Sequence, residues 1–337
     1  MAPPKTTFPS LILPWTDPMT RLRCAILDDY YDVALSLADW ARIGDHVDVT
    51  TFTQPFASEQ DAASALEDFE IVCAMRERTA FPRSLFVSLP KLKLLITSGM
   101  RNASIDMEAA KDNDVVVCGT QYGRDPTAAL TMALMLELTR KVGRENARMH
   151  AGEPWQKLGG VEIEGKTLGV IGLGKLGSKV AGLAQAFGMN VIAWSPNLTA
   201  ERCKEVGVGY ASKEELFATA DIITIHVVLS PRSRGLVGAS DLARMKETAY
   251  LVNTSRGPLV DEAALLEVLQ QKKIAGAGID VFSVEPLPVD HPFRKLDNLV
   301  LTPHLGYVTE ESFRSHYGQM VECIDAWFKG EPPRRIA

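Results

Sequence analysis

A glycine-rich turn offers the clearest chemistry in this sequence. The apolar run Thr167–Ile171 is followed by Gly172, Gly174 and Gly177, which have the spacing G-x-G-x-x-G. Gly172 permits a sharp turn, Gly174 lets a pyrophosphate approach the backbone, and Gly177 lets the next helix pack closely on the strand. The free N–H groups at the start of that helix favour an anion. Because a second apolar run at 190–194 completes a β-α-β unit, the pattern predicts a dinucleotide site.

Three further stretches, each following a predicted strand, hold Arg256, Glu285 and His304. An arginine can grip a carboxylate with its planar fork, and a histidine can donate or accept a proton near neutral pH. Ligands of parallel sheets lie at the carboxyl ends of the strands. We therefore expect all three side chains to face the bound dinucleotide.

Alternating apolar and amphipathic segments predict the elements that must position these residues. In the first third, strands are expected at 23–27, 47–50, 71–74, 92–96 and 115–117, and helices at 32–40, 59–66, 82–85 and 104–111. In the second part, strands are expected at 167–171, 190–194, 221–225, 249–252, 275–281 and 299–302, and helices at 175–187, 213–219, 240–245 and 261–271. This alternation is typical of parallel sheets covered by helices.

The fold class is therefore α/β with two domains, a Rossmann-type doubly wound parallel sheet and a smaller flavodoxin-like domain. Turn-forming residues at 119–126, followed by a long apolar helix at 127–142, predict the boundary. We expect the dinucleotide-binding domain at 122–308. The amphipathic tail at 310–329 is expected to return to the first domain, which then comprises 1–121 and 309–337 and is discontinuous. Residues 143–160 are predicted to form an exposed connection.

Composition excludes several classes of protein. An apolar content of 46% and a charged content of 23% are typical of a soluble globular protein, and the net charge of −6 argues against a nucleic-acid partner. No apolar run is long enough to span a bilayer, so no membrane partner is expected. Five scattered cysteines without a C-x-x-C pair favour a reducing, cytoplasmic compartment. No histidines and carboxylates have the spacing of metal ligands, so no metal is expected.

The proline-interrupted N-terminus is a poor signal peptide. We expect residues 1–18 to be a loose extension, with Met19 as a plausible alternative start.

Taken together, the glycine turn and the stretches 253–257, 280–286 and 302–306 resemble the D-isomer-specific 2-hydroxyacid dehydrogenases, which reduce 2-oxoacids with NAD(P)H. The resemblance extends from residue 21 to residue 329, and the motifs occur in the family's order. It implies an NAD(P)-dependent oxidoreductase acting on the CH–OH group of a small 2-hydroxyacid, with 3-phosphoglycerate, glyoxylate and hydroxypyruvate as candidate substrates or products. Members of the family are commonly homodimers.

The resemblance assigns a role to each of three catalytic candidates. Arg256 grips the substrate carboxylate and polarises the carbonyl. His304 is the acid for reduction and the base for oxidation. Glu285, hydrogen-bonded to the imidazole, fixes its tautomer and favours its charged form.

The resemblance also implies a substrate loop at Met100 and Arg101, whose backbone N–H groups hold the substrate carboxylate. The family usually has glycine where this chain has Arg101, which puts the loop geometry in doubt. The side chains of Arg101 and Arg76 are candidates for a further contact, and two arginines near the substrate would favour one with a second anionic group, such as 3-phosphoglycerate.

The choice between NAD and NADP stays open. Enzymes specific for NAD usually place an acidic residue about 20 residues beyond the first glycine, and this chain has Ser195 there. No carboxylate repels a 2′-phosphate, and Arg202 is the nearest arginine, while Ser195 and Asn197 can hydrogen-bond either cofactor. The predicted cofactor-binding residues are Gly172, Leu173, Gly174, Lys175, Leu176, Gly177, Ser195, Asn197, His226, Val227, Thr254, Ser255, Asp280, His304, Gly306 and Thr127.

Two alternatives fit parts of the pattern. A formate or phosphite dehydrogenase has the same fold, but formate dehydrogenases pair the histidine with glutamine, and Glu285 argues against that. An NAD(H)-sensing binding protein similar to transcriptional corepressors can retain all three catalytic candidates, so the residues alone do not distinguish it from an enzyme.

Overall fold

The computed structural model describes residues 21–121 and 125–337. The described chain divides into two compact units, one formed by the chain up to Arg124 with Thr309–Ala337 and the other by Asp125–Val308. The proposed N-terminal extension, Met19 and residues 122–124 of the predicted boundary lie outside the described residues.

All strand pairs in the described chain are parallel. The strands of the first unit are β1 (Leu22–Ile26), β2 (Val47–Thr51), β3 (Ile71–Ala74), β4 (Leu94–Thr97) and β5 (Val116–Gly119). The strands of the second unit are β6 (Thr167–Ile171), β7 (Asn190–Trp194), β8 (Gly209–Tyr210), β9 (Ile222–Ile225), β10 (Tyr250–Asn253), β11 (Gly276–Ile279) and β12 (Leu299–Leu301).

Helices connect most of these strands. They are α1 (Ala34–Leu37), α2 (Glu59–Leu66), α3 (Arg83–Ser88), α4 (Met107–Asp112), α5 (Thr127–Arg140), α6 (Val142–His150), α7 (Lys175–Ala186), α8 (Ala200–Val206), α9 (Lys213–Thr219), α10 (Ala239–Leu242), α11 (Glu262–Gln270) and α12 (Glu310–Phe328). Short 3₁₀ helices occur at Trp40–Ile43, Gly257–Leu259 and Pro292–Lys295.

The sheet orders confirm the predicted fold class. The first sheet has the order β2-β1-β3-β4-β5, which is the flavodoxin-like arrangement, and the second has β12-β11-β10-β9-β6-β7-β8, a doubly wound sheet that reverses direction at β6. In the second unit, β6 and β9 lie side by side where the order reverses, so their carboxyl ends frame a crevice of the kind that binds ligands.

Close packing in the second unit requires small residues where helices cross the sheet. A Cβ atom on Gly278 of β11 would lie 3.2 Å from Leu138 and 3.3 Å from Leu134, both on α5. The long apolar helix α5 therefore packs directly over β11, the strand that leads to Asp280 and Glu285.

Two helices in the connections were not predicted. Residues 143–160 are expected to form an exposed connection, and no residue of the stretch is buried, but α6 occupies its first part. This helix has no buried residue and is mostly polar, so it offers few of the apolar side chains from which helices are predicted. Helix α8 was not predicted because only Cys203 is buried in it.

The helix expected at 32–40 is shorter. Asp29 accepts hydrogen bonds from the N–H groups of Val33 and Ala34, and only Ala34–Leu37 is α-helical before the 3₁₀ turn.

Candidate active site

The three glycines of the turn each meet a different steric requirement. Gly172 has φ +96°, and a Cβ atom there would lie 2.7 Å from the carbonyl oxygen of His226. A Cβ atom on Gly177 would lie 2.0 Å from the carbonyl oxygen of Gly172, so helix and strand could not approach as they do. A Cβ atom on Gly174 would have no described atom within 4 Å. The backbone at Gly174 is thus open to a ligand.

The N-terminus of α7 is also suited to an anion. Side chains of Ser212, Asp261 and Thr309 cap α9, α11 and α12, but no side chain in the described chain caps α7, which begins after Gly174. Its first N–H groups lack intrahelical partners and carry the positive end of the helix dipole. The open backbone and the uncapped helix end fit the pyrophosphate of a dinucleotide.

The other residues of the turn contribute in different ways. The side chain of Leu173 is buried in the core and Leu176 packs partly against it, so only their backbones can face a ligand. Lys175 pairs with Asp125, with 2.9 Å between Nζ and Oδ2. Val227 lies against Gly172, 2.8 Å from where a Cβ atom of that glycine would be.

No carboxylate follows the end of β7, where Ser195 is half-buried and Asn197 is exposed. Arg202 donates to Glu205 at 3.0 Å and approaches the hydroxyl of Ser178 on α7 at 3.5 Å. A guanidinium therefore lies beside the helix of the glycine turn, although it already has an acidic partner.

His226, which directly follows β9, has a neutral side chain. Its Nε2 lies 3.0 Å from Thr224 Oγ1, and its buried Nδ1 has no hydrogen-bond partner among the described residues. Burial lowers the pKa of His226 to about 3, so the imidazole is uncharged at neutral pH.

Thr254 and Ser255, which follow β10, are both held by hydrogen bonds. The Thr254 hydroxyl lies 2.9 Å from that of Thr131 on α5, and the Ser255 hydroxyl donates to the Ile225 carbonyl at 2.7 Å. These contacts fix the start of the loop that carries Arg256.

Glu285 and His304, 19 residues apart in sequence, are in direct contact: Oε2 lies 2.6 Å from Nδ1. The other oxygen of Glu285 accepts from the N–H of Phe282 at 2.8 Å, which fixes the carboxylate. The side chain of His304 is 17% exposed, and its ring packs edge-on against Tyr307. This arrangement leaves Nε2 of the imidazole as the nitrogen for a substrate.

Asp280 holds the segment that carries His304. Its buried carboxylate accepts hydrogen bonds from the Thr302 hydroxyl and from the N–H groups of Leu305 and Gly306. Burial raises the pKa of Asp280. The three hydrogen bonds lower it, as does the charge of the nearby His304, so they oppose the effect of burial. His304 itself has φ +54°, a left-handed conformation that costs a non-glycine residue energy.

Thr127 anchors the same segment from α5. Its hydroxyl donates to the Gly306 carbonyl at 2.8 Å. Asp280 and Thr127 were predicted to contact the cofactor. The structure gives both of them protein partners, and contact of either with a nicotinamide stays a prediction.

Arg256 lies on the loop after β10, beside the segment that leads to Glu285. A Cβ atom on Gly257 would lie 2.1 Å from the carbonyl carbon of Phe282, so the two backbones are in contact. The guanidinium of Arg256 donates to the Ser255 carbonyl at 2.7 Å. Because β10, β11 and β12 are parallel neighbours, Arg256, Glu285 and His304 leave the same edge of the sheet.

The predicted substrate loop lies in the first unit, after β4. In the described chain, no hydrogen bond uses the N–H groups of Met100 or Arg101, which are both exposed. No described residue pairs with the Arg101 guanidinium. Arg76 differs: its side chain is 12% exposed, lies 3.6 Å from Glu77 and donates to the Ser98 carbonyl at 3.3 Å.

Sequence reasoning missed three buried residues around this loop. Asn102 donates from Nδ2 to the Arg76 carbonyl at 2.6 Å and to Thr97 Oγ1 at 2.9 Å. Thr120 Oγ1 lies 3.0 Å from the N–H of Gly99 and 2.7 Å from Nδ1 of His316. These pairs are up to 196 residues apart, and nothing in the residue types or spacing identifies them.

A doubly wound sheet, an open glycine turn at its switch point, and a carboxylate–imidazole pair at the sheet edge that also presents an arginine are typical of a dinucleotide-binding α/β protein. The chain matches the family model "D-isomer specific 2-hydroxyacid dehydrogenase, NAD binding domain" over residues 132–306.

Individual relatives agree with that match. The chain is 37% identical over 278 residues to D-3-phosphoglycerate dehydrogenase from Methanocaldococcus jannaschii, covering 81% of this chain and 52% of that protein. It is 34% identical over 320 residues to glyoxylate reductase from Aeropyrum pernix, covering 92% and 91%. Phosphoglycerate oxidoreductase from Vibrio cholerae O395 has a similar structure, with a TM-score of 0.87, 32% identity and coverage of 91% and 99%.

The chain belongs to the D-isomer-specific 2-hydroxyacid dehydrogenase family. It spans about half the length of the phosphoglycerate dehydrogenases that it matches.

The described residues contain no helix with the length and apolar character needed to cross a membrane. They also contain no group of three or more histidine, cysteine or acidic side chains that could hold a metal ion.

Proposed function

We propose that this protein is a D-2-hydroxyacid dehydrogenase that reduces a small 2-oxoacid with NADH or NADPH. The observation that carries the proposal is the contact of 2.6 Å between Glu285 and His304, at the sheet edge that also presents Arg256 and the open glycine turn. A bound nicotinamide supplies and accepts hydride, which is the chemistry that the protein's own side chains cannot provide.

Three side chains of the second unit would bind the 2-oxoacid and transfer its proton. The guanidinium of Arg256 polarises the carbonyl and binds the carboxylate. As hydride reaches the carbonyl carbon, negative charge develops on the oxygen, and Nε2 of His304 donates its proton there to complete the hydroxyl group. Glu285 stabilises the imidazolium before transfer and holds its Nδ1 proton, so that Nε2 is the proton donor.

We propose that the N–H groups of Met100 and Arg101 hold the substrate carboxylate, since neither has a described partner. The exposed Arg101 guanidinium is then suited to a second anionic group on the substrate, such as a phosphate. Arg76, already bound to Ser98 and close to Glu77, is less suited to that role. This favours a phosphorylated 2-oxoacid over glyoxylate.

Several finer features belong to the proposal as well. Either cofactor is accepted, because Ser195 neither requires a free 2′-hydroxyl nor repels a 2′-phosphate. The protein is a cytoplasmic homodimer, as is common in the family. All five cysteines are free and buried, which suits a reducing compartment.

Steady-state kinetics with NADH and NADPH against glyoxylate, hydroxypyruvate, pyruvate and phosphohydroxypyruvate test the proposal. We expect turnover that falls by about 10²–10⁴-fold in His304→Ala, the usual contribution of a general acid. We also expect a higher kcat/KM for phosphohydroxypyruvate than for glyoxylate, with Arg101→Gln reducing the difference.

Two results would contradict parts of this assignment. Tight binding of NADH without turnover of any 2-oxoacid would favour an NAD(H)-sensing protein. Equal efficiency on glyoxylate and phosphohydroxypyruvate would remove the role of Arg101.

A further inference from the structure

We infer that Thr120 and His316 are positioning residues for the substrate loop, which they hold through the N–H of Gly99. The expected effects on kcat/KM rest on the proposed function, whereas the contacts that hold the loop do not. All of the groups concerned lie in the first unit.

The contacts form a continuous chain from α12 to the loop. The imidazole Nδ1 of His316 lies 2.7 Å from the hydroxyl oxygen of Thr120, and that oxygen accepts from the N–H of Gly99 at 3.0 Å. Thr120 is completely buried and His316 is 1% exposed. Gly99 immediately precedes Met100, the first of the two residues whose N–H groups are proposed to bind the carboxylate.

The direction of one of these hydrogen bonds is fixed. The amide of Gly99 can only donate, so it uses a lone pair of the Thr120 oxygen. The contact between Thr120 and His316 joins the hydroxyl to Nδ1, and the tautomer of the neutral imidazole sets which of the two groups donates. Burial, and to a smaller extent the charge of Arg76, lowers the pKa of His316 to about 4, which keeps the imidazole neutral at neutral pH.

Backbone contact places Gly99 close to the segment that holds Thr120. A Cβ atom on Gly119 would lie 2.6 Å from the Gly99 carbonyl oxygen, so only glycine allows this approach. Gln319, one helical turn beyond His316 on α12, accepts from the Gln121 N–H at 2.8 Å and donates to the Gln121 carbonyl at 2.9 Å. Helix α12 therefore fixes residues 119–121, and those residues fix Gly99.

A histidine that only packed in the core would not need a hydrogen bond to the hydroxyl that binds the Gly99 N–H. Gly99 has φ +99° and no side chain, so its N–H contact with Thr120 and the contact of Arg76 with the Ser98 carbonyl are what restrain the peptide between residues 98 and 99. Rotation of this peptide would change the backbone angles at Gly99 and reorient the next peptide, whose N–H belongs to Met100 and must face the carboxylate. We thus expect loss of the Thr120 hydroxyl to impair substrate binding without affecting NADH binding.

Thr120→Val, which removes the hydroxyl at nearly constant volume, tests the inference. A lost buried hydrogen bond corresponds to about a tenfold effect, so we expect kcat/KM for the 2-oxoacid to fall by about tenfold or more. The Kd for NADH, measured by fluorescence, should be unchanged. Thr120→Ser should restore the activity, and His316→Asn, which keeps an acceptor near Nδ1, should be more active than His316→Ala.

The control for loss of a buried hydroxyl is Thr139→Val. Thr139 is 1% exposed, and its hydroxyl donates within α5 to the carbonyls of Met135 and Leu136. This variant should have the wild-type kcat/KM.

A second measurement needs no substrate. Trypsin cleaves after arginine, and Arg101 is exposed, so the rate of appearance of a fragment ending at Arg101 reports the order of the loop. We expect this rate to rise by about tenfold in Thr120→Val and to stay at the wild-type value in Thr139→Val.

Unchanged cleavage in a folded Thr120→Val protein, or a Thr120→Val kcat/KM equal to that of the wild type, would overturn the inference. If the wild-type protein turned over no 2-oxoacid, the proposed function would fail, and the cleavage rates would still decide whether Thr120 and His316 hold the loop.

Discussion

At the scale of single residues, the negative charge of Glu285 is predicted to set the pH range of the reaction. The Glu285→Gln amide can still accept a hydrogen bond from Nδ1 of His304, but it no longer stabilises a positive imidazole. Reduction needs the protonated imidazole, so the pH above which activity is lost should be lower in Glu285→Gln than in the wild type. The measurement is kcat/KM for 2-oxoacid reduction across pH 5–10.

Glu262→Gln provides a matched control for that experiment. Glu262 also pairs with a histidine, with 3.3 Å between its Oε1 and Nε2 of His291, and neither residue belongs to the proposed site. The pH profile of kcat/KM in Glu262→Gln should coincide with that of the wild type. A Glu285→Gln profile that also coincided would show that the carboxylate only orients the ring.

The residue at the end of β7 is predicted to decide cofactor selectivity. Ser195→Asp places a carboxylate where it can hydrogen-bond a 2′-hydroxyl but would repel a 2′-phosphate. We expect the ratio of kcat/KM for NADPH to that for NADH to fall by about 100-fold, equivalent to about 2.7 kcal/mol. Steady-state kinetics with both cofactors measure this ratio, and an unchanged ratio would mean that Ser195 does not face the ribose.

At the scale of elements, the approach of α7 to β6 is predicted to depend on Gly177. In Gly177→Ala the new Cβ atom would meet the Gly172 carbonyl oxygen at 2.0 Å, so the helix must shift and its N-terminal N–H groups must move with it. We expect NADH binding to weaken by at least about tenfold, together with a lower melting temperature.

Gly182 on the same helix supplies the control. Its Cβ atom would have no described neighbour within 4 Å, so Gly182→Ala should only gain helix propensity, about 0.5–1 kcal/mol. The melting temperature should rise in Gly182→Ala and fall in Gly177→Ala, and NADH binding should weaken only in Gly177→Ala. Equal effects would mean that the close approach at Gly177 is not required.

The elements that the sequence predicted well share a physical property. Strands such as β3 and β9 are buried along their whole length, and their apolar runs are unmistakable. The glycine turn is equally clear, because its requirement is steric and local. Helices α6 and α8 bury almost nothing, so neither places the row of apolar side chains against a core from which helices are predicted.

The same distinction applies to the candidate site. Arg256, Glu285 and His304 could be chosen because each follows a strand of one parallel sheet, whose carboxyl ends meet at a single edge. His316 could not, since its partner Thr120 is 196 residues away and only the folded backbone brings them together. The protein partners of Asp280 also required coordinates, because an aspartate after a strand looks the same whether it faces a ligand or fixes a loop.

At the scale of the whole molecule, two neutral histidines predict sensitivity to acid: the buried His316 of the first unit and the partly buried His226 of the second. Burial lowers the pKa of His226 to about 3 and that of His316 to about 4, both from 6.5. Below pH 6.5 the unfolded chain binds protons that the folded units exclude. Their contribution to stability is therefore complete above pH 6.5 and is lost as the pH falls, by at most about 1.4 kcal/mol per pH unit for each group.

His316→Asn isolates one of these contributions while keeping an acceptor for Thr120. We expect urea unfolding at pH 6.5, 5.5 and 4.5 to show a smaller loss of stability in this variant than in the wild type, by about 1.4 kcal/mol per pH unit at most. His46→Asn, which changes an exposed histidine of the same unit, should follow the wild type. Parallel pH dependence of His316→Asn and the wild type would mean that His316 takes up a proton in the folded protein and that burial does not keep its imidazole neutral.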